Sequence, residues 1–133
     1  MVSMKRLFAA LAVLSAVTAA PALAADANAF PEKPVNFVVT FPPGGGTDLL
    51  SRLIGAELQK HWKQSVVVEN RAGASGNIGA QHVARSPADG YTLLVVNSSF
   101  AVNPGVFRKL PFDPKADFVP VINVAFVPSV VVV

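Results

Sequence analysis

A run of three glycines between a short apolar stretch and a helical pattern is the part of the sequence best suited to chemistry. It lies in Phe-Pro-Pro-Gly-Gly-Gly-Thr-Asp, residues 41–48. Glycine lets the backbone turn freely and brings N–H groups close to a ligand. The start of a helix adds N–H groups without intrahelical acceptors and a partial positive charge. The segment therefore predicts a site for a carboxylate or phosphate, and a tight turn that binds nothing is the alternative.

Known phosphate-binding patterns fit this glycine run poorly. A P-loop needs a lysine directly after its last glycine, and none follows here. The dinucleotide pattern G-x-G-x-x-G fits in part, since Gly44 and Gly46 match and Glu69 ends a predicted strand where a ribose-binding acid would lie. However, Leu49 occupies the third glycine position and Asp48 would face a pyrophosphate. A dinucleotide-binding enzyme domain is therefore kept as the minor alternative.

Polar residues near predicted strand ends could share in such a site. Asp48 is either a first-turn acid that complements the helix dipole or a partner for a ligand ammonium or hydroxyl. Asn97, Ser98 and Ser99 offer an amide and two hydroxyl groups. Helix capping is the alternative role for these three residues, and it is compatible with ligand contact.

A second glycine cluster spans residues 73–79, Gly-Ala-Ser-Gly-Asn-Ile-Gly. Like the first cluster, it joins a predicted strand end to a predicted helix start. Gly76 and Asn77 could therefore form a second cradle of N–H groups or one wall of a pocket. The alternative is a loop in which Gly79 packs against the sheet.

The sequence contains no constellation of residues that supports catalysis or metal binding. It has no cysteine, and His61 and His82 lie on different predicted helices without an acid at metal-ligand spacing. A G-x-S-x-G elbow and an acid pair placed for glycosidic chemistry are both missing. We therefore predict a protein that is not an enzyme, with no catalytic residue, no metal and no cofactor.

The elements that must position these groups alternate between strand and helix. The pattern predicts strand 35–41, helix 47–63, strand 65–69, helix 76–85 and strand 91–96. Such β-α-β-α-β alternation is typical of an α/β fold with a parallel sheet and right-handed crossovers. If the third strand pairs beside the first, the strand order is 2-1-3. The loops after these two strands then meet at the switch point, where open sheets bind ligands.

Residue types also predict the ends and faces of the helices. The apolar face of the first helix is expected to comprise Leu50, Leu53, Ile54, Leu58 and Trp62. We expect Thr47 or Gly46 to cap this helix and Asn77 to cap the next one. A short helix can begin near Ser98, with Pro104 preventing a long one.

Length and composition bound the class of protein. The 133 residues allow one ordinary domain, and 52% hydrophobic with 14% charged residues excludes a disordered charged tail. Lys5 and Arg6, the apolar run 7–17 and the small residues near Ala24 are typical of a secretory signal peptide, residues 1–24. The apolar run is shorter than the roughly 20 residues of a membrane span. We therefore expect an exported protein.

Signal removal also changes the charge. It takes two of the 11 basic residues and none of the eight acids, so the formal charge falls from +3 to +1. No basic block remains, which argues against a nucleic-acid partner. Cysteine-free composition fits an exported protein that needs no disulfide.

The last stretch, residues 119–133, has a strand-like composition broken by Pro120 and Pro128. It ends in four valines, and an unpaired valine run invites edge pairing and aggregation. We therefore expect that the chain is cut off inside a strand.

Several strings, in this order and spacing, resemble the periplasmic solute receptors of tripartite tricarboxylate transporters, also called Bug receptors. The resemblance runs from about Phe30 to Val133. The strings are Phe-Pro-Pro-Gly-Gly-Gly-Thr-Asp (41–48), Val-Val-Val-Glu-Asn-Arg (66–71), Gly-Asn-Ile-Gly-Ala (76–80), Pro-Ala-Asp-Gly-Tyr-Thr-Leu-Leu (87–94), Asn103-Pro104, and Leu-Pro-Phe-Asp-Pro (110–114) with Asp117-Phe118.

The resemblance implies one lobe of a two-lobed periplasmic binding protein of type II. Such receptors hold a small organic acid or amino-acid-like anion between the lobes and deliver it to membrane transporter subunits. The intact receptor is expected to be a monomer. In the family, the loops after the first and third strands contact the ligand. Carried onto this sequence, those loops contain Phe41, Gly44, Gly45, Gly46, Thr47, Asp48, Asn97, Ser98 and Ser99.

The resemblance also sets the expected domain bounds. Residues 25–118 would form the first lobe, and residues 119–133 would begin the crossover toward a second lobe. The fold is then truncated before that second lobe. A truncated fragment that binds nothing is one alternative function, and a soluble ligand of a membrane sensor kinase is another.

Overall fold

The structure is a computed structural model that describes residues 30–126, and from Pro31 onward these residues belong to one unit. The strands are β1 Val35–Val39, β2 Val66–Asn70 and β3 Thr92–Val95. The helices are α1 Gly46–Trp62, α2 Asn77–Ala84 and α3 Ser99–Val106, with a 3-10 turn at Ala74–Gly76. The predicted order of elements is confirmed, and the predicted bounds of the strands and of the first two helices differ by one or two residues.

The three described strands form a parallel sheet in the order β2-β1-β3, as predicted. Val35 pairs with Val66 and Val39 with Asn70 on one side of β1. On the other side, Val39 pairs with Val95. The central strand is apolar because both of its faces are covered: α1 packs over β2 and β1, whereas α2 packs over β3 and β1. Accordingly, Val35, Val38 and Val39 are fully buried.

Helix α1 meets the sheet through small and polar residues. Asp48, Ser51 and Gly55 are its buried positions. A Cβ atom on Gly55 would lie 3.1 Å from Val66 Cγ1, so the missing side chain allows the helix to approach β2 closely. The predicted apolar face is therefore wrong in part. Leu53 is 58% exposed, and the other predicted members of that face are only half-buried.

The chain beyond α3 is held by aromatic side chains. Phe100 of α3 stacks on Phe112 at 6.0 Å between ring centroids, and Phe118 meets both rings edge-on. A tight turn lies between the last two rings, where Asp113 accepts hydrogen bonds from the N–H groups of Lys115 and Ala116. Helix α3 is short, as predicted, and Pro104 lies inside it.

The prediction of a strand in residues 119–133 is wrong for the described part. Residues 119–126 carry no regular structure and expose Val119, Val121, Ile122 and Phe126. An extended segment becomes a strand only when a neighbouring strand takes its hydrogen bonds, and no described strand does so here. The predicted signal peptide (1–24) and residues 127–133 lie outside the described residues. Within residues 30–126, no helix is both long and apolar enough to cross a membrane.

Candidate functional site

The first glycine loop and the loop after β3 leave the same edge of the sheet from neighbouring strands. Val39 pairs with Val95, and the Thr40 N–H donates to the Val95 carbonyl oxygen at 3.4 Å. Neighbouring strands lie about 4.8 Å apart, so this register carries Phe41 out of the sheet beside Asn97. The structure thus brings together the two loops that the sequence predicted to meet at the switch point.

The start of α1 is open and lacks a side-chain cap. Gly45 is the N-cap residue and, having no side chain, makes no cap hydrogen bond. The first helical hydrogen bond runs from the Leu49 N–H to the Gly45 carbonyl at 2.9 Å. The N–H groups of Gly46 and Thr47 come before it in the chain, so no carbonyl of the helix accepts a hydrogen bond from them. The prediction that Thr47 or Gly46 caps the helix is wrong. Solvent-exposed glycines at 44–46 leave space for a ligand in front of these donors.

Asp48 lies behind this loop and is buried, with its side chain 5% exposed. Its carboxylate accepts hydrogen bonds from Arg52 Nε, the Gly44 N–H and Asn70 Nδ2 at 3.1, 2.9 and 2.9 Å. Arg52, then the Gly44 N–H and then Asn70 hold the pKa of the Asp48 carboxyl well below its ordinary range, against the opposing effect of burial. Both carboxylate oxygens therefore already have protein partners.

The loop after β3 caps its own helix. Asn97 Oδ1 accepts hydrogen bonds from the Ser99 N–H, at 3.0 Å, and from the Ser99 hydroxyl. The Asn97 carbonyl also accepts from the Phe100 N–H at 3.2 Å. Asn97 thus supplies a side-chain acceptor to the first turn of α3, whereas the N-cap residue itself is Ser98, whose side chain makes no cap hydrogen bond. Asn97 and Ser98 remain exposed beside the first glycine loop, so ligand contact by these residues stays a prediction.

The second glycine cluster uses its donors within the loop. The Gly76 N–H donates to the Gly73 carbonyl at 2.9 Å, and the Asn77 N–H donates to the Ala74 carbonyl. Gly76 is the N-cap of α2, so the prediction that Asn77 caps this helix is wrong. A second cradle at Gly76 and Asn77 stays a prediction, and it would need a ligand to displace these internal bonds.

Asn77 instead belongs to a buried pair. Asn103 Nδ2 donates to Asn77 Oδ1 at 2.8 Å and to the Ser75 carbonyl at 3.0 Å. Both asparagines are almost completely buried. This pair ties the loop to α3 and holds Ser75 in the left-handed conformation at φ 55°.

Gly79 packs against the sheet, which confirms the alternative interpretation of the second cluster. A Cβ atom at Gly79 would lie 2.9 Å from the Arg71 carbonyl oxygen and 3.0 Å from Thr40 Cγ2. At Gly76, where φ is +90°, it would lie 3.1 Å from Thr40 Oγ1. Close packing against Thr40 and the Arg71 carbonyl therefore accounts for the absence of a side chain at both positions.

Among residues 30–126, no group of His, Asp and Glu side chains is placed to hold a metal ion. Sequence reasoning missed three residues that shape the site: Asn70, Arg52 and Asn103. Asn70 does carry a signal, because it is a polar residue directly after the predicted strand 65–69. Its partners come from segments 22 and 29 residues away, and the sequence pattern does not reveal them.

The fold is a parallel α/β lobe, and the uncapped start of a helix lies at its switch point. These two features are typical of the class of ligand-binding lobes. The chain matches the model of the tripartite tricarboxylate transporter family receptor over residues 50–133. It therefore belongs to this receptor family, as the resemblance indicated.

Relatives of known sequence agree with this assignment. BugT of Bordetella pertussis is 43% identical over 132 residues, which is 98% of this chain and 40% of that protein. A UPF0065 protein from the tcbD–tcbE intergenic region of Pseudomonas sp. strain P51 is 40% identical over 97% of this chain and 38% of its own length. The chain thus spans about two fifths of the length of these curated relatives.

Solved structures give the same family and fold. The periplasmic binding protein BugD superposes with a TM-score of 0.64 and 38% identity, over 67% of this chain and 30% of that one. An R. palustris protein solved with adipate gives 0.62 and 46%, over 65% and 29%. MatC from Rhodopseudomonas palustris, solved with bound malate, gives 0.59 and 40%, over 68% and 31%.

Proposed function

We propose that this protein is the first lobe of a periplasmic solute receptor that captures a small organic carboxylate for a tripartite tricarboxylate-type transporter. The observation that carries the proposal is the open start of α1. The N–H groups of Gly46 and Thr47 have no acceptor within the helix, and they lie among exposed glycines beside the loop 97–99. Family membership and the adipate and malate in two similar proteins support a carboxylate as the ligand.

The ligand carboxylate would lie in front of the first turn of α1. Its negative charge is stabilised by the free N–H groups and by the partial positive charge of the helix end. Exposed Asn97 and Ser98 on the neighbouring loop add an amide and a hydroxyl group at the same edge. Phe41, at the end of the central strand, would line the pocket. No metal or cofactor takes part in this mode of binding.

The proposal includes export and partners. Residues 1–24 would direct the chain to the periplasm and be removed. Residues 25–118 would form the first lobe, and residues 119–133 would lead toward a second lobe that closes over the ligand. Exposed apolar side chains in residues 119–126 fit a segment that packs against further protein. Membrane transporter subunits would then receive the carboxylate.

The sharpest test removes one N–H group without disturbing the helix. Proline is favoured at the first helical position, and Gly45 has the extended backbone that proline requires before it, with φ −77° and ψ 167°. Gly46→Pro should therefore fold and lose one ligand donor. A hydrogen bond to a charged group contributes about 1.5–3 kcal/mol, so we expect affinity for malate or adipate to fall about tenfold to a hundredfold.

The matched control is Gly46→Ala, which keeps the N–H group and adds a side chain where no other atom lies within 4 Å. Isothermal titration of both variants with malate, adipate and glutamate, and with uncharged succinamide, reports the effect. Equal affinity of the proline and alanine variants would show that this donor is unused. The titrations use the receptor with its second lobe present, and if that unaltered protein binds none of the three anions, the carboxylate proposal is wrong.

A further inference from the structure

We infer that Asp48, Asn70 and Arg52 form a lock that sets the shape of the first glycine loop, so that Asp48 and Asn70 are positioning residues of the proposed site. The inference rests on the proposed function only for its effect on ligand affinity. The lock itself is defined by hydrogen bonds within the protein. It replaces the expectation that Asp48 contacts the ligand.

The lock holds the loop at two points. Asn70 Nδ2 donates to the Phe41 carbonyl at 3.1 Å, which fixes the residue where the chain leaves β1. Asp48 Oδ2 accepts from the Gly44 N–H at 2.9 Å, which fixes the loop three residues later. Gly44 has a φ of +86°, a conformation that glycine adopts without strain. The loop between these two points is therefore held at both ends.

The three side chains also bind one another. Asn70 Nδ2 donates to Asp48 Oδ1 at 2.9 Å, Arg52 Nε donates to Asp48 at 3.1 Å, and Arg52 Nη2 donates to Asn70 Oδ1 at 3.0 Å. Asn70 thus uses both amide hydrogens and one of the two lone pairs of its oxygen. Charged and neutral bonds that share atoms in this way hold each other's geometry.

The lock also neutralises the negative charge of Asp48, which lies next to the proposed anion site. A carboxylate next to an anion site would repel the ligand unless its charge were balanced. Arg52 supplies that balance from the next turn of α1, with its Nη2 atom 3.0 Å from Asp48 Oδ1. Asp48 points its oxygens at the Gly44 N–H, Asn70 and Arg52, so the donors at Gly46 and Thr47 stay available to the ligand.

Asp48→Asn tests the lock, because its amide nitrogen would face the donors of Arg52 and Asn70 in one orientation and the Gly44 N–H in the other, and either orientation removes the negative charge that these donors share. Amide hydrogen exchange of Gly44, followed by NMR, measures the lock without any ligand. We expect this exchange to accelerate about tenfold and malate affinity to fall about tenfold, as the loss of one charge-assisted bond implies. The urea midpoint is measured in parallel to confirm that the variant is folded.

The matched control is Asp89→Asn. Asp89 also accepts a backbone N–H, that of Tyr91 at 3.0 Å, and pairs with Lys33 at 2.9 Å, but it precedes β3 at the opposite edge of the sheet. This change should leave both Gly44 exchange and malate affinity unaltered. If Asp48→Asn fails to fold, Asn70→Ala provides the same two measurements through the Phe41 anchor.

The outcomes separate the lock from the proposed function. Unchanged Gly44 exchange in a folded Asp48→Asn protein overturns the lock. Lower malate affinity with unchanged exchange overturns it too, because Asp48 would then contact the ligand directly. Faster Gly44 exchange in a receptor that binds no carboxylate even with its second lobe present supports the lock and contradicts the proposed function.

Discussion

The two glycine-rich loops of this protein have similar compositions and similar places in the fold, but they differ in the exposure of their glycines and in the use of their N–H groups. Each joins the end of a parallel strand to the start of a helix. The first loop, residues 41–47, exposes its glycines and leaves the start of α1 uncapped. In the second loop, residues 73–79, Gly76 and Gly79 are buried against Thr40 and the loop carbonyls take the N–H groups.

This difference shows that a glycine-rich loop can have either of two structural roles. In the first loop, the absent side chains leave room for a ligand to approach the backbone. At Gly76 and Gly79 of the second loop, the absent side chains leave room for Thr40 and Arg71, which follow the ends of β1 and β2. Both loops have glycines with positive φ, so backbone conformation does not separate the two roles. What separates them is the atoms that a Cβ would meet.

The largest expected contrast is between Gly79→Ala and Gly46→Ala. A Cβ at Gly79 would meet the Arg71 carbonyl oxygen at 2.9 Å, and backbone cannot move aside cheaply. We expect overpacking to lower the free energy of unfolding by about 3 kcal/mol. Gly46→Ala meets nothing within 4 Å and should change it by less than about 0.5 kcal/mol. Urea denaturation followed by the fluorescence of Trp62 measures both, and equal effects would erase the distinction between the loops.

A smaller effect is expected at the asparagine that holds the second loop. Asn103→Ala removes the donor to the buried Asn77 Oδ1 and to the part-buried Ser75 carbonyl. We expect a loss of about 2 kcal/mol in the free energy of unfolding. The exposed Asn123 is the control, since Asn123→Ala should be neutral. A neutral Asn103→Ala would mean that the second loop does not depend on α3.

The smallest effect should be a gain. Ser75 adopts φ 55° and ψ 35°, where a residue with a Cβ is strained by about 1 kcal/mol. Ser75→Gly relieves that strain but increases the freedom of the unfolded chain, so we expect a net stabilisation of about 0.5 kcal/mol. Ser98→Gly provides the comparison, because Ser98 has an ordinary φ of −58° and should gain nothing. Destabilisation at Ser75 would indicate that its side chain supports the loop.

Much of the fold could be predicted from residue patterns. Alternating apolar runs and helical spacing predicted the elements. The order β2-β1-β3 was predicted on the condition that the third strand pairs beside the first, and the structure meets that condition. The contact face of α1 was harder to predict. The pattern favoured Leu50 and Leu53, but Ser51 and Gly55 are among the buried positions, Gly55 lies close to Val66 of β2, and Leu53 is left exposed. Hydrophobic spacing predicts a helix better than it predicts the distance at which that helix packs.

The candidate site could be predicted in place but not in detail. The two loops meet because strand pairing requires it, so glycines 44–46 and the segment 97–99 were correctly brought to one edge. The role of Asp48 was not visible, because its partner Asn70 lies 22 residues later on a different strand. An acid in the first turn of a helix has many possible partners. Only the packing of α1 against β2 selects one.

By itself, the sequence determined the order of strands and helices, the family and the edge of the sheet at which a ligand would bind. The elements and the edge follow from local periodicity, glycine placement and the rules for parallel sheets, all of which act over short stretches of chain. The family follows from the resemblance of several short strings to those of known receptors. The tertiary structure decided which glycine loop is open and which is packed. It also placed Asn70 and Arg52 around Asp48. These features depend on atoms from segments that are distant in the sequence, because only tertiary packing determines which atoms surround a given backbone atom.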